Sequence, residues 1–300
     1  MRILLVHNPT AGGGQEADGL IALLEDAGHD VRYSSSKDDW KRLLQDPGDL
    51  VVAGGGDGTV ADVALAAAER GFRFAPLPIG TANNIGKSLE IVGDARDVVE
   101  SWAAAPARPF DLGRVELGGD RTRFVESVGG GIFGALIARR AEVEADAKLL
   151  GRETDRALHM LSDLLHEATP RGWRISADGT DASGEYLAVE VLNVRFVGPN
   201  VPLAPNADPS DGMLDLVCIS VADREALSDY LEMRLRLAGG ALPELAPIRA
   251  ASVRLTAPAG ERLHLDDRPW PSAVALREPL PLEVRCLPGA ATVVAGRPAD

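Results

Sequence analysis

Aromatic residues make up only 4% of this 300-residue chain, so its core has to rest on Leu, Val, Ile and Ala. Cys218 and Cys286 are the only cysteines, which argues against a disulfide framework or a zinc site and fits a reducing cytoplasm. No apolar run is long enough to span a bilayer. Positive charge is also short: 31 Lys and Arg stand against 45 Asp and Glu, a formal charge of −14, and Lys occurs only at 37, 41, 87 and 148. That balance argues against nucleic acid as a partner and against firm electrostatic docking on anionic lipid. The N-terminal MRILLVHNP lacks a basic region and a cleavage site, so it reads as a strand and not as a signal peptide, and a cytoplasmic location is expected. The histidines at 7, 29, 159, 166 and 264 show no ligand spacing and read as surface or satisfied residues. No serine sits in a nucleophile elbow.

What the chain does have is glycine in one telling place. Val51, Val52 and Ala53 run into Gly54, Gly55, Gly56, Asp57, Gly58 and Thr59, and a helical pattern follows through Val60, Val63, Ala64 and Ala67 to Gly71. Glycine between strand and helix lets backbone N–H groups approach an anion at the helix N-terminus. Asp57 puts a carboxylate in that loop, where it would disturb a phosphate unless a metal or a reacting proton lay between them. The dinucleotide pattern fails, because no acid follows about twenty residues on.

The first third predicts strands near 2–7, 30–34, 49–53 and 73–78 and helices near 16–27, 38–45, 59–70, 83–90 and 94–105. This alternation argues an α/β fold with a Rossmann-like parallel sheet, whose ligands bind at the carboxyl ends of strands. Residues 111–131 read as strands and 135–168 as helical, with a break around Gly151. Short strand-like runs fill 172–287, interrupted by an amphipathic helix near 223–237. The expected domains are 1–109, a nucleotide domain, and 110–287, mostly β with a helical insertion.

Three other motifs carry polar chemistry. Asn8, Pro9, Thr10, Ala11 and Gly12 end the first strand, as a phosphate-facing turn or an ordinary connection. Thr81, Asn83 and Asn84 read as caps of a helix at the same sheet end, while the P-loop look of 80–88 fails on spacing. Asp208, Asp211 and Asp215 crowd a turn that is either an acidic hairpin or a hard-cation site.

Taken together these residues resemble the diacylglycerol kinase catalytic-domain family, especially its soluble bacterial lipid kinases, with sphingosine and ceramide kinases as relatives. The resemblance runs through NPTAG (8–12), GGDGT (55–59), GTANN (80–84), FDLG (110–113), VGGGIFG (128–134), LNVRFVG (192–198), LAPNADPSDGMLDLV (203–217) and LHLDDR (263–268). It implies an α/β nucleotide domain, a C-terminal β-sandwich lipid domain and a tail, 288–300, that returns to the first domain. It implies ATP contacts at Asn8, Pro9, Thr10, Ala11 and Gly12, at a hydroxyl such as Ser35, at Gly55, Gly56, Asp57, Gly58 and Thr59, and at Thr81 and Asn83. It places Mg2+ at Asp208, Asp211 and the carbonyl of Met213, with Asp57 organising metal and phosphates.

Two positions depart from the family pattern. Asn84 stands where an Asp is usual. The stretch Asp266, Asp267, Arg268 aligns with DGE, whose glutamate is thought to activate the substrate hydroxyl, and arginine cannot accept a proton at neutral pH. Asp266 or Asp267 would have to substitute. The expected activity is ATP- and Mg2+-dependent phosphorylation of a lipid hydroxyl, with a lipid substrate presented at a membrane surface. The alternatives are a nucleotide-binding protein that has lost transfer, or a kinase for a small polar acceptor. The oligomeric state stays open, a homodimer included.

Overall fold

A computed structural model describes residues 1–11, 16–91, 93–147, 153–236, 242–243 and 245–295. The chain forms two compact units. One contains Met1–Leu112, Pro209–Asp211 and the chain from Pro288 on, and the other contains Gly113–Asp208 and Gly212–Leu287.

The first unit is wound from β1 (Arg2–His7), α1 (Ala17–Asp26), β2 (Asp30–Ser35), β3 (Leu50–Gly55), α2 (Asp57–Ala68), β4 (Arg73–Pro78), α3 (Asn84–Ser88), α4 (Ala95–Ser101) and the start of β5 (Ala107–Leu117). Its strands pair in parallel in the order β4-β3-β1-β2. Every residue of β3 is buried, as a parallel strand covered on both faces requires. On one face Leu20 and Leu24 of α1 and Val98 and Val99 of α4 pack with Ile3, Leu5, Val52, Ala75 and Leu77.

Several helices are shorter than the sequence pattern predicts. Residues 38–45 give a 3-10 helix at Trp40–Gln45, stopped by Pro47 and by Gly48 at φ +82. There a Cβ on Gly48 would lie 2.7 Å from the Arg2 carbonyl oxygen. The 94–105 pattern yields only α4, started by an Asp94–Asp97 capping box. The helix expected at 83–90 is the five-residue α3, ended by Glu90 at φ 60.

The second unit continues with β6 (Asp120–Phe124), β7 (Ser127–Gly131), α5 (Ile132–Ala147), α6 (Glu153–Glu167), β8 (Arg171–Ala177), β9 (Thr180–Asp181), β10 (Gly184–Tyr186), β11 (Ala188–Leu192) and β12 (Leu214–Ile219). It closes with α7 (Arg224–Leu235), β13 (Ile248–Ala250), β14 (Ser252–Ala257), β15 (Leu263–Leu265), β16 (Arg268–Pro269) and β17 (Leu280–Val294). One antiparallel sheet runs β13-β12-β11-β7-β15-β16. A second layer contains β10, β8, β14 and the first half of β17. Val189, Val191, Leu214, Leu216 and Leu263 from one layer meet Trp173, Ile175, Val253, Leu255 and Val284 from the other, which makes this unit a β-sandwich. Ala188 and Leu192, on the opposite face of β11, pack with Phe133, Leu136, Leu161 and Leu231 of the helices. The expected break at Gly151 lies outside the described residues. The last part of β17 adds to the first unit's sheet, with Thr292 and Val293 parallel to Arg73 and Phe74.

Candidate active site

Strand register decides where the first unit can bind a ligand. His7 lies opposite Gly54 and Ser35, and Gly55 opposite Pro78, so the loops after all four strands leave one edge of the sheet. β1 sits between β2 and β3, and the winding direction reverses there. Ligands of such sheets bind in the crevice outside the carboxyl ends at this switch point.

The loop after β1 is held by its own polar atoms. The Asn8 side-chain oxygen accepts from the Thr10 N–H (3.1 Å) and hydroxyl (2.9 Å), and the Asn8 N–H donates to the Gly54 carbonyl at 2.9 Å. Pro9 and Thr10 are exposed and Ala11 is buried. Gly12 lies outside the described residues. After β2, the Ser35 hydroxyl accepts from the Lys37 N–H at 3.2 Å.

The loop after β3 shows which glycines the chain itself requires. A Cβ on Gly55 would stand 2.6 Å from the Thr59 hydroxyl oxygen, and one on Gly80 would stand 2.3 Å from the Gly56 Cα. The β3–α2 and β4–α3 loops therefore cross backbone against backbone. Gly58 differs, since a Cβ there meets nothing within 4 Å among the described residues. It opens onto free space in the first turn of the twelve-residue α2, whose start at Gly56 carries no side-chain cap. An uncapped helix N-terminus favours negative charge, so the loop fits a nucleotide phosphate.

Asp57 and Asn83 do more local work than the sequence implied. One Asp57 carboxylate oxygen accepts from the Ile85 N–H at 2.9 Å and so ties the two loops together. Asn83, at φ 53, was expected to cap the following helix and does not. Its amide nitrogen donates to the carbonyls of Pro78 (3.1 Å) and Gly80 (2.8 Å), and its oxygen accepts from the Gly80 N–H at 3.0 Å. The carboxylate of Asp57 reaches the α3 amide that an Asn83 cap would have served. Thr81 is exposed on the same loop.

In the second unit, β15 and β16 form a hairpin with Leu265 opposite Arg268 and with Asp266 and Asp267 at its turn. Asp266 has φ 50, and its carboxylate accepts from the N–H groups of Val125 (3.1 Å), Glu126 (2.7 Å) and Ser127 (3.3 Å). These bonds favour the anion, but burial of the group outweighs them and pushes Asp266 up to about 6. Asp267 pairs with Arg140 at 2.7 Å, and Arg268 is exposed.

The acidic turn offers oxygen donors only. Asp208 and Asp211 are exposed, and Gly212 turns the chain at φ +77 ahead of Met213. Among the described residues no three His, Cys, Asp or Glu side chains gather into a metal-binding group. Any cation at this turn would rely on two carboxylates and a main-chain carbonyl, a donor set that suits Mg2+ or Ca2+.

Two histidines overturn the reading of surface or satisfied residues, or enlarge it. His7 is buried, and neither ring nitrogen has a hydrogen-bond partner among the described residues. His264 is satisfied, but by a fully buried contact with the Glu190 carboxyl group that no motif announced. Asp111 was also missed: it is buried, its N–H donates to the Pro209 carbonyl at 2.6 Å, and its carboxylate accepts from the Gly289 N–H at 2.7 Å. It thus fastens the separate chain passes of the first unit. The partners of Glu190 and Asp111 lie 74 and 178 residues away, beyond any local pattern.

Comparison with known proteins identifies the family and the fold. Residues 2–115 match the model of the diacylglycerol kinase catalytic domain, and residues 136–295 match that of the YegS C-terminal NAD kinase beta sandwich-like domain. A Klebsiella pneumoniae protein named probable lipid kinase YegS-like is 30% identical over 297 residues, covering 94% of each chain. A Pseudomonas aeruginosa protein of the same name is 31% identical over 225 residues, 72% of this chain and 71% of that one. The fold matches the crystal structure of a diacylglycerol kinase from Bacillus anthracis strain Sterne with TM-score 0.73, at 19% identity over 98% of this chain and 97% of that one. With both halves matched and its length covered by a relative, the chain belongs to the diacylglycerol kinase catalytic-domain family.

Proposed function

We propose that this protein is an ATP- and Mg2+-dependent kinase that phosphorylates a hydroxyl of diacylglycerol or a related lipid. The carrying observation is the uncapped start of α2 beside Gly58, at the switch point of a parallel sheet, in a chain of this family. The loops at Asn8–Ala11, with Gly12, and at Gly55–Thr59 would hold the phosphates, with Ser35, Thr81 and Asn83 completing the nucleotide's surroundings. Asp208, Asp211 and the Met213 carbonyl would hold a structural Mg2+. Asp57 would organise metal and phosphate while keeping its tie to Ile85.

In the reaction the acceptor hydroxyl oxygen forms a bond to the γ-phosphorus, the bond from that phosphorus to the ADP oxygen breaks, and the hydroxyl proton leaves. Asp266 would be the base that takes that proton. A carboxylate raised to about 6 is a better proton acceptor at neutral pH than an ordinary one. Its Oδ1 receives the short amide bonds and Oδ2 only the 3.3 Å contact from Val125, which leaves acceptor capacity on Oδ2.

The test uses labelled ATP with a panel of diacylglycerol, phosphatidylglycerol, sphingosine and small polyols, beside a thermal-shift titration with Mg2+ and ATP. Transfer to a lipid with a rise in Tm is the expected result. Asp266→Asn should cut transfer by about 10²–10⁴-fold and keep the nucleotide-induced shift. Arg268 favours a second reading, a nucleotide-binding protein without transfer. Nucleotide binding with no transfer to any acceptor, restored by Arg268→Glu, would select it.

A further inference from the structure

The centre of the six-stranded sheet holds a buried acid–base pair with no counterpart in the motifs. Glu190 on β11 and His264 on β15 lie opposite the same residue, Gly129 of the intervening β7. Both side chains are fully buried. They reach each other across the strand because Gly129 has no side chain: a Cβ there would be 2.3 Å from a Glu190 carboxylate oxygen. Nε2 of His264 lies 2.9 and 3.0 Å from the two Glu190 oxygens, and Nδ1 lies 2.8 Å from the main-chain carbonyl of Asp266.

The donors can be counted. A carbonyl only accepts, so Nδ1 carries a proton. Nε2 either donates to an ionised Glu190 or accepts from a protonated one. In both cases the pair contains one proton more than a neutral imidazole and a carboxylate together. The groups around the ring are Glu190 from β11, Asp266 from its own turn and Gly129, which brings no charge, from β7. Helix α5 brings Arg140 to Asp267 at the same hairpin, and Glu261 is occupied by the Gly131 N–H and by Arg171.

We infer that Glu190 and His264 are positioning residues for Asp266: the proton at Nε2, held with Glu190, leaves Nδ1–H to fix the Asp266 carbonyl, while the amides of residues 125–127 fix its carboxylate. The turn is then held at both ends of one residue, in a left-handed conformation that a non-glycine residue seldom adopts without such support. Burial and the neighbouring carboxylate pull His264 in opposite directions with a net upward effect, and burial raises Glu190 as well, so both members of the pair hold protons more firmly than usual. With one proton fewer, the ring keeps a single N–H that the ionised Glu190 would draw to Nε2, which frees the Asp266 carbonyl. The inference rests on the kinase reading only for its consequence in turnover.

Two measurements test it. In the unmodified protein, the nitrogen resonances of His264 should show a doubly protonated ring, or a proton shared with Glu190, from pH 6 to 8. A neutral ring with a single N–H and no bond to Glu190 would overturn the inference, whether or not the protein transfers phosphate. Under the kinase reading, Glu190→Gln and His264→Gln should each lower kcat about tenfold with nucleotide affinity unchanged. They should also move the acidic limb of the kcat profile upward, because the cation that favours ionised Asp266 is lost. If kcat and nucleotide binding instead fall together with an unmoved limb, the pair serves folding alone and the inference fails. Absence of transfer by the unmodified protein, with the ring found protonated, would sink the kinase reading and leave the pair's hold on the turn standing.

Discussion

Each unit has a glycine-rich stretch and a buried histidine at its centre of interest, and they differ at Gly58 and in how the two histidines are satisfied. Around the second unit's triplet the space is filled. Cβ atoms on Gly129, Gly130 and Gly131 would stand 2.3 Å from Glu190, 2.7 Å from Leu263 and 2.2 Å from the Leu187 carbonyl, and His264 uses both ring nitrogens. In the first unit Gly58 faces open space and the nitrogens of His7 have no partner. Glycine marks close approach in both places. In the sandwich the approaching group is the chain itself, whereas at the sheet edge room remains for something else.

The largest expected effect breaks the filled side. Gly129→Ala drives a methyl into the Glu190 carboxylate and into the Val189 carbonyl, 2.4 Å away. Neither can withdraw, because one belongs to a buried pair and the other to the backbone. The expected loss is about 3 kcal/mol or more, read as a fall in the denaturant midpoint of the second unit. Gly80→Ala ranks next, since its methyl would meet the Gly56 Cα at 2.3 Å and force the crossing loops apart. A loss of about 2 kcal/mol in the first unit is expected, with nucleotide binding weakened as well.

Gly58→Ala sharpens the contrast. Its methyl meets no atom of the described residues within 4 Å, and alanine in a helix is better than glycine by up to about 1 kcal/mol. The ligand-free protein should hold or gain stability, while the Tm rise produced by ATP and Mg2+ should shrink. An undiminished rise would mean that the open space is not used.

These differences mark what was legible in the sequence. The parallel sheet was, because Ile3–Val6 and Leu50–Ala53 are unbroken apolar runs, and Asn8-Pro9, the Gly54–Gly56 run and Pro78 mark the ends of three of the strands. The loops at Asn8, Gly56 and Thr81 fell at the predicted sheet edge for the same reason. The short helices were not, because Pro47 and the left-handed Glu90 stop them where apolar spacing alone continues. Nor was the Glu190–His264 pair, whose members are joined only by strand register across Gly129. Asp57 and Asn83 could be placed in their loops, but their partners are main-chain atoms, which leave no trace in side-chain patterns.

The histidines predict opposite pH responses. His264, Glu190 and Asp266 all lie above their ordinary values in the fold, so the folded second unit binds protons more tightly than the unfolded chain. For Asp266 that stability is lost as pH rises from about 4 through about 6, and for His264 as pH rises past 6.5 through its raised value. Hydrogen exchange in the second unit should therefore quicken from pH 5 to pH 8, once corrected for the intrinsic rate. A flat corrected profile would show that the three groups titrate alike in folded and unfolded chains.

The smallest effect is at His7. Burial lowers its proton affinity, so the unfolded chain protonates first and the first unit loses stability as pH falls below 6.5. At neutral pH the ring still leaves a donor and an acceptor buried among Leu5, Gly54 and Tyr33 without a hydrogen bond. An apolar residue of similar size removes that penalty, so His7→Leu should stabilise the ligand-free protein by about 1 kcal/mol at pH 8. The gain should be larger at pH 5, where the charging penalty also disappears. Urea midpoints at the two pH values measure both. A stabilisation equal at pH 5 and 8 would mean that the ring does not titrate differently on folding, and a loss of stability would mean that its nitrogens are satisfied in solution after all.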